Sequence, residues 1–268
     1  MRVSVVIPTY NRPERLQKAL QNLQAQGYSD WEAWVVDDGD GRGAALAQAF
    51  GDARIRGLMN PGKGQVDARN TAISLATGDL IAWLDDDDWW HDQGHLQRVV
   101  RTMQASSVTL LYRHGWIVVE EEGLERHRIP FTLTADSQSI ERDNTLLTSS
   151  IVYPKVLHRH LGLLDREVDG YFDWDWYVRV ARAGYSLTCI ANLGVCYAHH
   201  SSNGSKQVHS ERRRRNFARF CHKHQLTLTI KNHAIVLHEE SDADNKLGMQ
   251  RLDVEQIATL AELSAPSS

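Results

Sequence analysis

The sequence has few cysteines, no long apolar run and little net charge, and each shortage excludes a class of protein. Its three cysteines form no Cys-x-x-Cys pair, which favours a reduced, cytosolic protein without a structural zinc site. The sequence contains no run of about 18 consecutive apolar residues, so no transmembrane helix is predicted. The N-terminus leads into a strand-like run, and no signal peptide is predicted. A net charge of −4 gives no reason to expect a nucleic-acid partner.

Strand-like and helix-like segments alternate through the first half of the chain. A length of 268 residues, with 42% hydrophobic and 24% charged residues, suits one large α/β domain with appendages. Alternation of this kind predicts a parallel, doubly wound sheet, in which ligands bind beyond the carboxyl ends of the strands. The predicted strands are Val3–Ile7, Ala33–Val36, Asp52–Leu58 and Leu80–Leu84, and the predicted helices begin at Pro13 and Gln65.

Four consecutive aspartates, Asp85 to Asp88, follow the fourth predicted strand and precede Trp89 and Trp90. Carboxylates about 5 Å apart repel by roughly 3 kcal/mol per pair at an effective dielectric near 20. A hard divalent cation with oxygen ligands would remove this penalty. The alternative is the N-cap and first turn of a helix beginning at Asp87 or Asp88.

The second half is less regular. Its pattern predicts a helix over 92–103, two strands over 109–120 and 126–133 joined by a turn at 120–123, and a polar connection over 136–144. Strand character returns over 148–153, and acids and aromatics open a helix near Asp173 that Gly184 ends. Two more strands are predicted over 186–191 and 194–198. From Lys206 the chain is basic and helical, and this 206–224 segment is either a solvated face or a peripheral contact with anionic lipid.

Five motifs, taken in order, resemble the inverting family-2 glycosyltransferases, which have the GT-A fold. They cover about residues 3–205 and read VVIPTYNR (5–12), VVDDG (35–39), NPGKG with ARN (60–64, 68–70), GDLIAWLDDDD (78–88), and DWD with Arg179 (173–179). The resemblance implies a mixed Rossmann-like sheet whose parallel N-terminal half is flanked by helices. It further implies a nucleotide-sugar half over 1–105, an acceptor half over 106–205 and a helical extension over 206–268.

The resemblance also implies which residues bind the nucleotide. Asp38 would recognise the base, because an acceptor-only carboxylate suits the imide N–H of uracil or thymine, and the ring of Tyr10 would offer it a stacking surface. Arg69 would pair with phosphate, with Lys63 a weaker candidate for that role. The full nucleotide-binding set is Pro8, Thr9, Tyr10, Arg12, Asp38, Lys63, Arg69, Asp85 and Asp86.

A metal site is implied at Asp87 and His200. Asp87 matches the last acid of the family's DxD motif and would hold Mn²⁺ or Mg²⁺ against the diphosphate, with Asp85 nearer the ribose. Asp86 could share either role. His200 lies where many members place a further metal ligand; His199 is the runner-up, and a solvent-facing histidine pair without a ligand role is the alternative.

Asp173 matches the family's catalytic base, which takes the proton of the acceptor hydroxyl. Family members commonly carry Glu directly before this base, whereas this chain has Phe172. The difference leaves Asp175 open as the base, although a structural role suits it better. Trp174 could stack on an acceptor sugar, or it could belong to the core.

The resemblance thus implies a metal-dependent inverting transferase that moves a sugar from a nucleoside diphosphate, most commonly uridine diphosphate in this family, to a glycan or lipid-linked acceptor in cell-surface synthesis. We expect it in the cytoplasm, with the membrane's inner face as an alternative site. A non-catalytic sugar-nucleotide or glycan-binding module and a nucleotidylyltransferase are the competing functions. Asp87 and Asp173 argue against the module, because binding alone does not need a base, and the loop after Ile7 lacks the glycine-rich phosphate-binding pattern of the nucleotidylyltransferase.

Overall fold

A computed structural model describes residues 1–105, 109–200 and 210–231, together with 233 and 236. Its first half is a parallel sheet in the order β3-β2-β1-β4. The strands are β1 (Val3–Thr9), β2 (Trp31–Asp37), β3 (Ile55–Met59) and β4 (Leu80–Trp83). Helices α1 (Pro13–Gln24), α2 (Arg42–Gln48) and α3 (Gln65–Leu75) connect them. The predicted alternation of strand and helix is therefore confirmed.

The second half extends the same sheet with mixed strand directions. Its strands are β5 (Trp89–Trp90), β6 (Thr109–Glu121), β7 (Leu124–Phe131), β8 (Val152–Pro154) and β9 (Ser186–His199). Strand β8 runs antiparallel to β4 and β6, β6 runs parallel to β9, and β9 runs antiparallel to β5. The α-helices described in this half are α4 (His95–Ala105), α5 (Leu157–Leu161), α6 (Phe172–Arg182) and α7 (Glu211–His224).

The sheet has a hydrophobic core on each face. Alternate residues of β4 enter opposite cores: Leu80 and Ala82 pack in one, and Ile81 and Trp83 pack in the other. Burial on both faces explains why β1 and β4 read as nearly continuous apolar runs. It also holds the strand ends rigidly, so the loops that follow them start from fixed positions.

Several local predictions are corrected by the structure. No helix begins at Asp87 or Asp88, because the chain continues into the short strand β5 and α4 begins at His95. Thr148–Ser150 forms a 3-10 turn rather than a strand, and β8 begins only at Val152. The two strands predicted over 186–198 are one strand, β9, whose pairing with β6 shifts register between Arg113 and Gly115. Helix α2 was not predicted.

The hairpin of β6 and β7 is confirmed. Its turn residues Glu122 and Gly123 both have positive φ, 50° and 76°. This backbone matches the right-handed twist of the paired strands, and it explains why glycine occupies the second position.

Helix α7 is the described part of the predicted C-terminal extension. Ser210 caps its N-terminus by accepting a hydrogen bond from the backbone N of Arg213. Phe217 and Phe220 join the core beside Trp174 of α6. The remainder of the extension, 206–209 and most residues after 231, lies outside the described residues, as do residues 201–205 at the end of the predicted acceptor half. None of the described helices is long and apolar enough to cross a membrane.

Candidate functional site

The loops after β1 and β4 meet through their polar side chains. Thr9, the last residue of β1, donates its hydroxyl to Asp86 Oδ2 at 2.6 Å. Arg12 lies 2.6 Å from Asp86 Oδ1 through Nη2 and forms an ion pair with Asp87 through Nη1. Because β1 and β4 are parallel neighbours, their carboxyl ends lie at one edge of the sheet. The loops that follow these two strands therefore converge.

The four aspartates have sharply different electrostatic environments. Burial, together with the charge of Asp87, raises the pKa of Asp86 to about 7. Burial and the same neighbour raise the pKa of Asp88 well above its ordinary range. Burial opposes the charged form of Asp87 as well, but the hydrogen bond from His200 and the charge of Arg12 lower its pKa. Of these three acids, Asp87 is the one whose charged form its neighbours favour over burial.

Asp38 organises the loop that follows β3. Its Oδ1 accepts hydrogen bonds from Asn60 Nδ2 at 2.7 Å and from the backbone N of Gly64 at 2.8 Å. Among the described residues, its second carboxylate oxygen accepts none. The backbone N of Asp38 donates to the carbonyl of Thr9, so Asp38 lies beside the loop that carries Tyr10. Tyr10 is 59% exposed, and its ring is free to stack.

Arg69 links the acidic run to α6. Its guanidinium pairs with Asp85 and lies 4.3 Å above the ring of Phe172. Phe172 stands where the family usually has Glu, and here its ring supports the arginine through a cation–π contact. Lys63 is exposed; its backbone N donates to Asp67, and no described contact joins its side chain to the acidic cluster.

Asp173 lies on the first turn of α6, next to Phe172. Its Oδ2 accepts hydrogen bonds from Asn144 Nδ2 at 3.0 Å and from Thr148 Oγ1 at 3.4 Å. Both bonds go to the same oxygen. Within the described part of the chain, Oδ1 therefore keeps its lone pairs for another partner.

Asp175 occupies a different environment from Asp173. It is fully buried and contacts Arg179, Lys223 and His224, at 2.8, 2.6 and 2.8 Å. Burial opposes its charged form, but the hydrogen bond from His224 and the charge of Arg179 lower its pKa. A carboxylate held by an arginine, a lysine and a histidine is poorly placed to take a proton from a ligand.

The structure does not place Trp174 on the surface of the site. Its ring packs against Phe220, with centroids 4.6 Å apart, and its Nε1 donates to the carbonyl of Ile140 at 2.5 Å. The side chain is 5% exposed. Trp174 is a core residue joining α6 to α7, so the structure favours the core alternative over the acceptor platform.

Asp87 and His200 form the part of the cluster that fits a metal ion. His200 Nε2 lies 3.0 Å from Asp87 Oδ2, whereas His199 pairs along β9 with Val119 of β6. No group of three or more His, Cys, Asp or Glu forms a ready-made metal cage among the described residues. Magnesium sites beside phosphates commonly use one or two carboxylates, with water and phosphate oxygens as the other ligands. One carboxylate and one imidazole therefore fit a metal that is completed by a diphosphate.

Other residues at the site were missed by the sequence analysis. Asn60 holds Asp38, Asn144 holds Asp173, and Ser149 contacts the acidic loop. Asn60 opens the NPGKG motif but was given no role there, and Asn144 and Ser149 are common polar residues outside any motif, so residue type alone gave no signal. Lys231, beyond α7, pairs with Asp143 at 2.7 Å, so the chain returns to the neighbourhood of Asn144.

The family model described as glycosyl transferase family 2 matches residues 4–162. The chain is 28% identical over 246 residues to the uncharacterized glycosyltransferase YwdF of Bacillus subtilis, which covers 89% of this chain and 90% of that protein. It is 33% identical over 118 residues to the Escherichia coli UDP-Glc:alpha-D-GlcNAc-diphosphoundecaprenol beta-1,3-glucosyltransferase WfgD, which covers 43% of this chain and 46% of that protein.

The fold is also similar to a solved structure, the mannosyltransferase PcManGT from Pyrobaculum calidifontis in complex with GDP-Man and Mn²⁺. The two align with a TM-score of 0.57 and 19% sequence identity, covering 81% of this chain and 63% of that chain. At this identity the similarity concerns the fold.

Proposed function

This chain belongs to glycosyl transferase family 2 and is a glycosyltransferase with the GT-A fold, and we propose that it is a metal-dependent, inverting enzyme using a uridine diphosphate sugar. We further propose that its acceptor is a hydroxyl of a glycan or lipid-linked sugar in cell-envelope synthesis. The name of the relative WfgD describes such a donor and such an acceptor. The family match favours the transferase over the binding module and the nucleotidylyltransferase.

The observation that carries the proposal is the chain of contacts from the acidic loop to Asp173. Asp85 pairs with Arg69, Arg69 lies over Phe172, and Phe172 directly precedes Asp173. Asp173, whose carboxylate suits proton transfer, therefore directly follows Phe172, the residue whose ring contacts Arg69 on the donor side.

In this proposal the nucleotide lies against the loops after β1 and β2. Asp38, whose Oδ2 accepts no hydrogen bond among the described residues, would accept from the uracil imide, and Tyr10 would cover the base. Arg12 and Arg69 would exchange part of their pairing with Asp87 and Asp85 for the diphosphate. Pro8 and Thr9 would supply the backbone beside the base.

Asp87 and His200 would hold Mn²⁺ or Mg²⁺. When bound, the ion would neutralise charge that develops on the departing diphosphate. Asp85 would lie nearer the ribose, and Asp86, which Thr9 and Arg12 hold, would support the loop.

Asp173 is the base in this proposal. Its carboxylate accepts the proton of the acceptor hydroxyl while that oxygen bonds to the anomeric carbon and the bond to the diphosphate breaks. Attack opposite the leaving group inverts the configuration of that carbon.

The proposed function divides the chain into a donor half over 1–105, an acceptor half over 106–205 and a helical extension over 206–268. We place the enzyme in the cytoplasm, with the extension touching the inner face of the membrane.

Calorimetric titration with uridine, guanosine and thymidine diphosphates, each with Mn²⁺ and with EDTA, tests the donor assignment. We expect uridine diphosphate to bind with Mn²⁺ and to lose affinity with EDTA. Asp87→Ala should lose the metal-dependent part of this affinity, whereas Asp40→Ala, which removes an exposed acid paired with Arg42, should not. Equal affinity in wild type and Asp87→Ala would contradict the metal assignment.

Asp173→Asn tests the base. Release of nucleoside diphosphate from UDP-glucose, UDP-N-acetylglucosamine and GDP-mannose is measured with and without a lipid extract as acceptor. We expect nucleotide affinity to stay near the wild-type value and turnover to fall about 10²- to 10⁴-fold, the usual contribution of a general base. Full turnover in Asp173→Asn would move the base to Asp175 or another group.

A further inference from the structure

The 144–150 segment touches both functional ends of the site. On one side, Asn144 and Thr148 donate to Asp173 Oδ2. On the other side, the hydroxyl of Ser149 donates to Asp88 Oδ2 at 2.5 Å and accepts from the backbone N of Asp85 at 3.0 Å. Thr148 and Ser149 are consecutive, so about 3.8 Å of backbone joins the two sets of contacts.

The segment is also fixed from behind. Trp90 Nε1 donates to the carbonyl of Ser149 at 2.9 Å, and Ser149 and Trp90 are each 1% exposed. Asp88, the partner of Ser149, accepts a further bond from the backbone N of Ala198 at the end of β9. Ser149 is therefore held by β5 and the acidic loop, while its neighbour Thr148 reaches α6.

We propose that the 144–150 segment is a positioning element that sets the distance between the donor-binding acidic loop and Asp173, with Ser149 positioning the loop and Asn144 and Thr148 orienting the base. This inference rests on the proposed function, because it takes Asp173 as the base. A short, buried connection transmits a shift of the loop to the base, and a displacement of about 1 Å in a catalytic group can cost about 100-fold in rate.

Three consecutive residues allow a matched test. Thr148→Val keeps the shape of the side chain and loses the hydroxyl, whereas Thr148→Ser keeps the hydroxyl. Ser149→Ala removes the contacts to Asp85 and Asp88. Ser150→Ala is the control, since Ser150 is equally buried but its hydroxyl donates only to the carbonyl of Leu147 within the same turn.

The measurements are the affinity for uridine diphosphate with Mn²⁺, by calorimetry, and the release of uridine diphosphate from UDP-glucose. We expect Thr148→Val to lower kcat about tenfold or more with unchanged affinity, and Thr148→Ser to restore it. Asn144→Ala should behave like Thr148→Val. Ser149→Ala should weaken nucleotide affinity about tenfold, the range seen when a supporting hydrogen bond beside a ligand-binding group is lost.

In the double variant Thr148→Val with Ser149→Ala, the change in the free energy of activation should differ from the sum of the two single changes. We expect this because both residues act through one rigid connection. Thermal unfolding of every variant identifies any that fail to fold. Wild-type kinetics in Thr148→Val and Ser149→Ala, or equal losses in Ser150→Ala, would overturn the positioning role. If Asp173→Asn still abolishes turnover in that case, the proposed function stands; if Asp173→Asn is fully active, the base assignment is what has failed.

Discussion

Tyr10 projects into solvent beside the loop that Asp38 organises. The backbone N of Asp38 donates to the carbonyl of Thr9, which fixes the spacing between the proposed base-recognising carboxylate and the ring. A half-exposed tyrosine next to a buried strand end gains little from packing in the free protein. Its ring is therefore accessible to a ligand, as the proposed function requires.

We expect Tyr10→Ala to weaken binding of uridine diphosphate by about 1 kcal/mol or more, the usual contribution of base–aromatic stacking. The thermal midpoint should not change, since the side chain is 59% exposed. Tyr10→Phe serves as the control because it keeps the ring. Calorimetry in Mn²⁺ measures the difference, and wild-type affinity in Tyr10→Ala would remove Tyr10 from the site.

Phe172 shows how a departure from the family pattern is accommodated. A glutamate at this position would place another carboxylate beside Arg69 and Asp85. In this chain the aromatic ring lies under the Arg69 guanidinium instead, at 4.3 Å, and Arg69 keeps its pairing with Asp85. The substitution changes the support of the arginine and leaves Asp173 at the start of α6.

At the scale of elements, α6 is joined to α7 by an ionic cluster around the buried carboxylate of Asp175. Asp175 pairs with Arg179 on its own helix and with Lys223 and His224 on α7. Trp174 packs against Phe220 on the same side. The contacts of α7 therefore help to fix the helix that carries Asp173 at its N-terminus.

Asp175→Asn should lower the free energy of unfolding by about 3 kcal/mol at pH 7, because it removes the buried carboxylate that Arg179, Lys223 and His224 share. Urea denaturation measures this loss. Asp40→Asn is the control: its pair with Arg42 is exposed, so we expect a change within about 0.5 kcal/mol. A stable Asp175→Asn protein would show that the hydrophobic contacts alone hold α7.

The stability that Asp175 contributes should decrease as the pH falls. Although burial opposes the charged form, His224 and Arg179 hold the pKa of Asp175 below its ordinary value. The stability that it contributes is therefore complete above the ordinary aspartate pKa of about 3.9 and is lost as pH falls toward the lower folded-state pKa. The difference between wild type and Asp175→Asn should be largest at neutral pH and shrink below about pH 4.

At the scale of the whole molecule, the basic helix α7 is partly neutralised by the domain. Arg212 pairs with Asp169, Arg219 with Glu167, and Lys223 with Asp165. Arg214 and Arg215 are exposed. If α7 meets the membrane as we propose, these two arginines are the ones to contact anionic lipid.

Sedimentation with phosphatidylglycerol vesicles tests this surface. We expect binding that phosphatidylcholine vesicles do not support and that Arg214→Glu with Arg215→Glu weakens about tenfold or more, since each basic residue near an anionic surface contributes about 1 kcal/mol. Arg219→Glu should weaken vesicle binding less, because Arg219 already pairs with Glu167. No binding by the wild-type protein would leave α7 as a solvated face that packs on α6.

The sequence by itself determined the parallel half of the sheet and the position of its polar loops. Apolar, β-branched runs end abruptly at Thr9, Asp37 and the acidic run, and parallel strands bring such ends to one edge. Local composition sufficed because each signal, a buried strand followed by polar residues, lies within a few consecutive positions. The motif order then indicated the family.

Only the tertiary structure decided which neighbouring residues keep an oxygen open to a ligand and which are enclosed in the core. Asp173, Trp174 and Asp175 are consecutive and chemically similar to other site residues, yet Asp173 is held by Asn144, while Asp175 is enclosed by cations from two helices. Thr148 and Ser149 acquired their contacts from segments far apart in the chain. Such roles depend on which long-range partners each side chain meets, and a linear pattern of residue types does not contain that information.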